Sequence, residues 1–331
     1  MHRNLYTFEG GIMLKAMLKV IASGLIVTVL AICVALFWFW TPDLPKEFVV
    51  EKYTNSHSQF YADSAGNRIH YRDQGLEGGP VLMLIHGTSA SLHTWEPLVK
   101  ALGDQYRLIS LDLPGHGLTG QNLSGTYTDE VFIESVMNLM DYLNIESASL
   151  VGNSLGGRVA WRAAVDHPTR VRSLILLAPS GAPRQQRSKS NIGFKIMHSP
   201  AGQVLSLFVT PKFLIEKSLT QTVVDKNLVT KIMVDRYTEL LTMEGNRQAM
   251  VDLFKSRKTA EMANLKALSH PKLVIWGDSD GILPIQMLGS FEAVWPTMET
   301  LVLTKIAHLP HEEAVDIVST SIKKFCRLQS C

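Results

Sequence analysis

Ser154 sits in Gly152-Asn153-Ser154-Leu155-Gly156, a G-x-S-x-G pentapeptide, and the chemistry open to it is nucleophilic attack. A serine hydroxyl is a poor nucleophile until a base and oxyanion donors are placed around it. The flanking residues suggest how it is presented: the apolar run Ala148 to Val151 reads as a strand, and Gly156 to Ala164 is helix-compatible. A sharp strand-to-helix turn lifts the hydroxyl clear of a sheet and aims the first helical N–H groups at a reacting carbonyl. Glycines belong where strand and helix approach so closely that a side chain would clash.

A plain glycine-rich turn would carry the same five letters, so the rest of the chain must supply an acid, a base and a second oxyanion donor. Asp280 lies in Trp276-Gly277-Asp278-Ser279-Asp280, just past the apolar run Leu273 to Trp276. His308 lies in Ile306-Ala307-His308-Leu309-Pro310, beyond the next run. The order Ser, Asp, His is that of a nucleophile-elbow hydrolase. In this reading His308 takes the Ser154 proton and returns it to the leaving group, while Asp280 holds the imidazole tautomer. His86-Gly87-Thr88 follows the run Val81 to Ile85, so the N–H groups of Thr88 and Leu155 are the expected oxyanion hole.

Other polar residues receive blander readings. Asp278 is expected to cap a turn, His311 to enter a helix, and His86 to brace the oxyanion turn. His70 and His93 read as ordinary hydrogen-bonded histidines, and His116 as a residue of a loop or a pocket wall. Glu312 and Glu313 read as a solvated helix start. Met197, Met233, Met243 and Met250 read as packing residues, a few of them suited to an adaptable apolar pocket.

The elements that would position these groups are short apolar runs. Val81 to Ile85, Leu108 to Leu111, Leu174 to Ala178, Leu273 to Trp276 and Leu301 to Leu303 suit strands buried on both faces of a parallel sheet. Gln59 to Ala62 and Arg68 to Tyr71 flank the turn signal Asp63 to Asn67. Helical stretches alternate with these runs, which predicts a doubly wound α/β sheet. Between Pro179 and about Leu268 no strand is expected. Lys212 to Ser218, Val223 to Met243 and Arg247 to Lys258 predict a helical insertion there.

Of the 331 residues, 32 are Lys or Arg and 30 Asp or Glu, and 46% are hydrophobic. The net charge of +2 makes no case for nucleic acid or an acidic polymer. Cys33, Cys326 and Cys331 form neither a metal pattern nor a disulfide framework. Cys326 and Cys331 would pair only in an oxidising compartment and are expected as free thiols on a frayed tail. No C-x-x-C, H-E-x-x-H, P-loop or G-x-G-x-x-G occurs, so no metal and no cofactor are expected.

Val20 to Trp40 is a run of 21 residues without a charge. As a helix it spans about 30 Å, the depth of a bilayer core. It ends in aromatic residues, Trp38 and Trp40 among them, which suit a membrane interface and make a poor signal-peptidase site. Arg3, Lys15 and Lys19 precede it. The expectation is an uncleaved single-pass anchor, with residues 1–19 cytoplasmic and the body extracytoplasmic, periplasmic in a bacterium. Residues 41–57 then form a linker, 58–179 and 269–331 the two parts of the core, and 180–268 the helical insertion.

Leu84-Ile85-His86-Gly87, Asp112-Leu113-Pro114-Gly115-His116-Gly117, the Ser154 pentapeptide, Trp276 to Asp280 and Ala307-His308-Leu309-Pro310 resemble the successive signature segments of the α/β-hydrolase family. The resemblance runs from about Ser58 to Phe325. It implies a mostly parallel sheet with helices on both faces, and a helical cap over the site at 180–268. With the apolar anchor and Ser91-Leu92-His93-Thr94-Trp95, the chain looks most like bacterial membrane-associated lipases and esterases. Ala307 departs from the family, which usually has Gly before the histidine. The expected activity is hydrolysis of carboxylic esters, with a small-molecule or lipid ester as the partner. A carbon–carbon bond hydrolase or a cofactor-free haloperoxidase on the same fold is the alternative, and a non-catalytic membrane-anchored binding protein a remote one.

Overall fold

The computed structural model describes residues 5–182, 191–256, 265, 268–329 and 331. Eight strands form one sheet: β1 (Ser58–Ala62), β2 (Arg68–Gly75), β3 (Val81–Ile85), β4 (Arg107–Leu111), β5 (Ala148–Asn153), β6 (Val171–Leu177), β7 (Lys272–Gly277) and β8 (Glu299–Leu303). Their spatial order is β1-β2-β4-β3-β5-β6-β7-β8. β2 runs antiparallel to β1 and to β4, and every pairing from β4 to β8 is parallel.

The central strands read as continuous apolar runs because each face of the sheet is covered. Met83, Ile85, Leu150, Leu174, Leu176 and Trp276 point into one core, with the helices Asp129–Tyr142, Leu155–Asp166 and Leu288–Val294. Leu82, Leu84, Val151, Ile175, Leu177 and Ile275 point into the other, with Glu96–Leu102 and Val315–Gln329. Alternate residues of one strand thus serve opposite cores, as the pleat requires. This is the doubly wound sheet expected, and its parallel strands share one C-terminal edge where loops can converge.

After β6 the alternation stops, as expected. Among the described residues five α-helices follow, Ile192–Met197, Pro200–Ser206, Lys212–Thr220, Lys231–Thr242 and Asn246–Ser256. Part of the expected insertion, residues 183–190 and most of 257–267, lies outside the described residues. Leu219, Val223, Met233 and Val234 give this cap its own small core, which also takes in Leu309, the neighbour of His308.

Two expectations need correction. Residues 41–57 are not a free linker, because Lys46–Tyr53 is a helix and its Val49 is fully buried. Val49 packs with Leu118, Leu240 and Met243, and the Leu44 N–H donates to Thr242 O at 2.8 Å. With one buried residue in eight, this short helix gives too weak a periodic signal to read in sequence. Cys326 and Cys331 are not free thiols either; they form a disulfide with their Cα atoms 4.7 Å apart. Beyond Val315–Gln329 the chain turns back, and the Cys331 N–H reaches Cys326 O at 3.4 Å. Both cysteines are buried in the second core.

The helix Leu5–Trp38 precedes all of this. The most apolar 18-residue window of its stretch Lys15–Trp38 has a mean hydropathy of 2.8, and no described side chain of that window is buried against the rest of the chain.

Candidate active site

β5 is buried along its whole length and delivers Ser154 to the C-terminal edge of the sheet. Ser154 stands between β5 and the helix Leu155–Asp166 with φ 53° and ψ −112°. A non-glycine residue adopts a positive φ only when its surroundings hold it there. Here the Ser154 N–H donates to Leu177 O at 3.0 Å, and Ser154 O accepts from Ser180 N at 2.9 Å and Arg158 N at 3.1 Å. Both flanking glycines are obligatory. A Cβ on Gly156 would lie 1.9 Å from Ile85 O, and one on Gly152 2.3 Å from Gly156 O.

The candidate acid and base lie on the loops after β7 and β8. Asp280 Oδ2 is 2.7 Å from His308 Nδ1, while Oδ1 accepts from the N–H groups of Ile282 at 2.8 Å and Leu283 at 2.9 Å. That leaves His308 Nε2 as the nitrogen available for proton transfer. Asp278, two residues before Asp280, is exposed and accepts from Lys305 N at 2.9 Å, so it ties the loop after β7 to the loop after β8.

Thr88 follows β3 and Leu155 follows Ser154 directly, the two positions expected to supply the oxyanion donors. Thr88 lines the same cavity as Ser154, and a Cβ on Gly87 would stand only 3.2 Å from Ser154 Cβ. Leu155 is the first residue of its helix, whose leading N–H groups have no intrahelical acceptor. His86 braces this turn from behind, with Nδ1 2.7 Å from Gly87 O and Nε2 accepting from Leu113 N at 3.0 Å. Burial lowers its pKa, so the ring stays neutral with Nδ1 as donor.

The cavity over Ser154 measures about 170 Å³ and is walled mainly by cap side chains. Phe194, Leu214, Ile215, Leu219 and Phe254 make it apolar, with Ser154, His308, Thr88 and Asn153 at the reacting end. Met197 and Met250 line it, while Met233 and Met243 pack elsewhere.

Three residues carry more than sequence reasoning assigned them. Asn153 Nδ2 donates to Leu177 O at 3.0 Å and to His308 O at 3.1 Å, tying the nucleophile turn to the histidine loop. Its place inside the pentapeptide was the available signal. Glu312 and Glu313 are not a solvated helix start. Glu313 accepts from Ala307 N at 2.6 Å, and from Val224 N at 2.5 Å and Asp225 N at 3.2 Å of the cap. The His308 N–H donates to Thr222 O at 2.9 Å, so the cap holds the histidine loop from two sides. Glu312 hydrogen-bonds Thr94, and burial pushes its carboxyl up to about 7. Thr94 Oγ1 also lies 2.8 Å from His311 Nε2, and burial pushes His311 down to about 3. Thr94 for Glu312, and Val224 and Asp225 for Glu313, come from distant segments, which local sequence cannot reveal.

His70, His93 and His116 do not line the cavity that holds Ser154. His70 Nδ1 pairs with Asp112 Oδ2 at 2.7 Å, both fully buried. His93 Nε2 is 3.0 Å from Arg72 Nη2, and burial brings its pKa down to about 4. His116 sits in its loop with Nδ1 3.1 Å from Pro114 O.

Residues 80–315 match the family model described as the alpha/beta hydrolase fold. The chain is 32% identical over 273 residues to a dihydrolipoyllysine-residue acetyltransferase component of an acetoin cleaving system from Pseudomonas putida, covering 80% of this chain and 68% of that protein. It is 29% identical over 236 residues to a 2-hydroxymuconate semialdehyde hydrolase from a Pseudomonas species, covering 67% of this chain and 77% of that one. Among solved structures, a membrane phospholipase A described as a bacterial virulence factor superposes with a TM-score of 0.72 at 23% identity, over 93% of this chain and 98% of that one. That likeness speaks for the fold. With the elbow, the sheet order and the family match in agreement, this chain belongs to the α/β-hydrolase family and is a hydrolase.

Proposed function

We propose that the protein is a serine hydrolase of carboxylic esters, lipidic ones in particular, of the lipase/esterase type. The observation that carries this reading is the His308–Asp280 pair at 2.7 Å, opening with Ser154 onto one apolar cavity. Ser154 Oγ attacks the ester carbonyl as His308 takes its proton. The tetrahedral oxyanion is held by the N–H groups of Thr88 and Leu155, and its collapse expels the alcohol, protonated by His308. Water activated by His308 then attacks the acyl-enzyme, releasing the acid and restoring Ser154. Asp280 fixes the tautomer and stabilises the imidazolium. None of these steps needs a cofactor.

Residues 20–40 anchor the chain in a membrane, with the hydrolase domain extracytoplasmic. The 24-residue apolar helix Lys15–Trp38 supports the first part. The Cys326–Cys331 disulfide supports the second, since such bonds persist in oxidising compartments.

A carbon–carbon bond hydrolase is the second reading, favoured by the 29% identity to the 2-hydroxymuconate semialdehyde hydrolase. One panel separates them: p-nitrophenyl esters of increasing chain length, triolein, a monoacylglycerol and 2-hydroxymuconate semialdehyde. Esters are expected to turn over fastest, and Ser154→Ala to abolish their hydrolysis with an unchanged melting temperature. Faster cleavage of the semialdehyde than of any ester would replace the ester reading, and full activity of Ser154→Ala would remove Ser154 from the mechanism.

A further inference from the structure

Residues 204–214 of the cap have two faces. Val209 and Leu214 help wall the catalytic cavity, as do Ser206 and Thr210. Interleaved with them, Val204, Leu205, Phe208 and Phe213 are 61%, 45%, 44% and 56% exposed. An apolar strip of this kind on a water-facing surface calls for an occupant.

The chain leaving the N-terminal helix lies directly on that strip. Trp40 stacks on Phe208 with ring centroids 5.5 Å apart, and Phe39 meets Phe213 edge-on at 6.4 Å. The Thr41 N–H donates to Phe208 O at 2.9 Å, and Trp40 pairs with Val209 in an isolated antiparallel bridge. The long helix ends at Trp38, only two residues earlier. A membrane interface is the place for the aromatic residues that end a spanning helix. Whatever level Phe39 and Trp40 occupy, Phe208 and Phe213 share it. Residues 191–220 also carry Lys195, Lys212 and Lys217 against Glu216; Lys212 pairs with Asp235 at 2.6 Å, and Lys195 and Lys217 remain to suit anionic headgroups.

We propose that residues 204–213 are a membrane-docking face, seated in the headgroup region of the bilayer that holds the N-terminal helix, and that lipid substrate reaches the cavity through this wall. The inference rests on the reading of residues 20–40 as an anchor. The occupant is a lipid surface because the strip is continuous with a helix of bilayer length, and because the opposite side of the same segment is the cavity wall. A lipid ester then crosses one layer of side chains between leaflet and Ser154, without passing through water.

The test uses the full chain with Cys33→Ala, one copy per lipid nanodisc. An environment-sensitive fluorophore is attached at Val29→Cys, Phe213→Cys or Asp104→Cys. Asp104 precedes β4, at the strand edge away from the site. Doxyl-labelled lipid is expected to quench the labels at 29 and 213 and to leave the one at 104 untouched. Quenching at 29 without quenching at 213 overturns the docking face and leaves the anchor standing; no quenching at 29 overturns both. A second arm compares Phe208→Ser/Phe213→Ser with the parent protein. Its kcat/KM on a lipid ester in vesicles is expected to fall about tenfold while p-nitrophenyl butyrate hydrolysis stays within about twofold, since binding at an interface scales with buried apolar area. Equal loss on both substrates would mean the two rings merely hold the cap, and would overturn the route.

Discussion

Two histidines in this chain each hold an aspartate at 2.7 Å, His70 with Asp112 and His308 with Asp280. By pair geometry they are indistinguishable, and their surroundings part them. Asp112 is enclosed in the fold, accepting from Leu92 N at 2.7 Å and Leu118 N at 2.8 Å, with Gly117 pressed against its carboxyl group. Burial alone would raise that carboxyl, but the hydrogen bond to His70 and the field of the neighbouring histidines outweigh it and hold it well below the usual range. His70 has its far nitrogen, Nε2, buried without a partner. His308 instead opens onto a cavity that also holds Ser154. A histidine–aspartate pair is therefore no signature of catalysis by itself; a nucleophile and a route for substrate make it one.

Removing each carboxylate's charge should separate the pairs most sharply. Asp280→Asn is expected to lower kcat by about 10⁴ with little change in melting temperature, because the imidazole loses its tautomer and its counter-charge. Asp112→Asn should do the reverse: kcat per folded molecule is kept, while urea titration shows a loss of about 3–5 kcal/mol from breaking a buried pair. If both variants lost stability alone, the contrast between the two sites would collapse.

A smaller effect tests how the catalytic pair is hung. Glu313 binds the amide before His308 and two amides of the cap, a link the His70 pair does not have. Glu313→Ala is expected to lower kcat about tenfold, less than the about 100-fold that a 1 Å misplacement of a catalytic group can cost, and Glu313→Gln to recover only part of it, because its NH2 group must face an N–H donor where a carboxylate oxygen accepted. Steady-state kinetics on a short-chain ester reads this directly; an unchanged kcat would mean the cap leaves the histidine loop alone.

The smallest effect concerns pH. Glu312 titrates near 7 in the folded chain against an ordinary value of 4.5. Below the ordinary value both folded and unfolded chains are protonated and its contribution is complete. As pH rises toward 7 the unfolded chain gives up its proton first, so stability falls until the folded carboxyl also ionises. Glu312→Gln should flatten that slope, a difference of about 3 °C in melting temperature across the window. Parallel curves for the two proteins would show that Glu312 is ionised in the fold.

The candidate catalytic parts could be picked out because each lies in a short segment just after a strand. Ser154, Asp280, His308 and Thr88 need only local patterns to be found, and a parallel sheet brings such loops to one edge. The strands themselves stood out as apolar runs because both faces of β3, β5 and β7 are covered. What stayed hidden depends on residues far apart in the chain. Asp112 meets His70 across the β2–β4 pairing, 42 residues away. Glu313 meets Val224 across 89. Val49 seats its helix through partners in three other segments. Charged side chains are usually solvated, so the burial of Glu312 runs against the expectation from residue type.

Ser154 has the backbone angles of a position where glycine would sit most easily, φ 53° and ψ −112°. In the proposed mechanism the hydroxyl is what a serine supplies there, against conformational preference. Any search that rewards this protein for surviving heat would therefore meet Ser154→Gly among its gains, and would be selecting inert molecules. A sturdier version must be sought with turnover as part of the screen, and at positions away from the elbow.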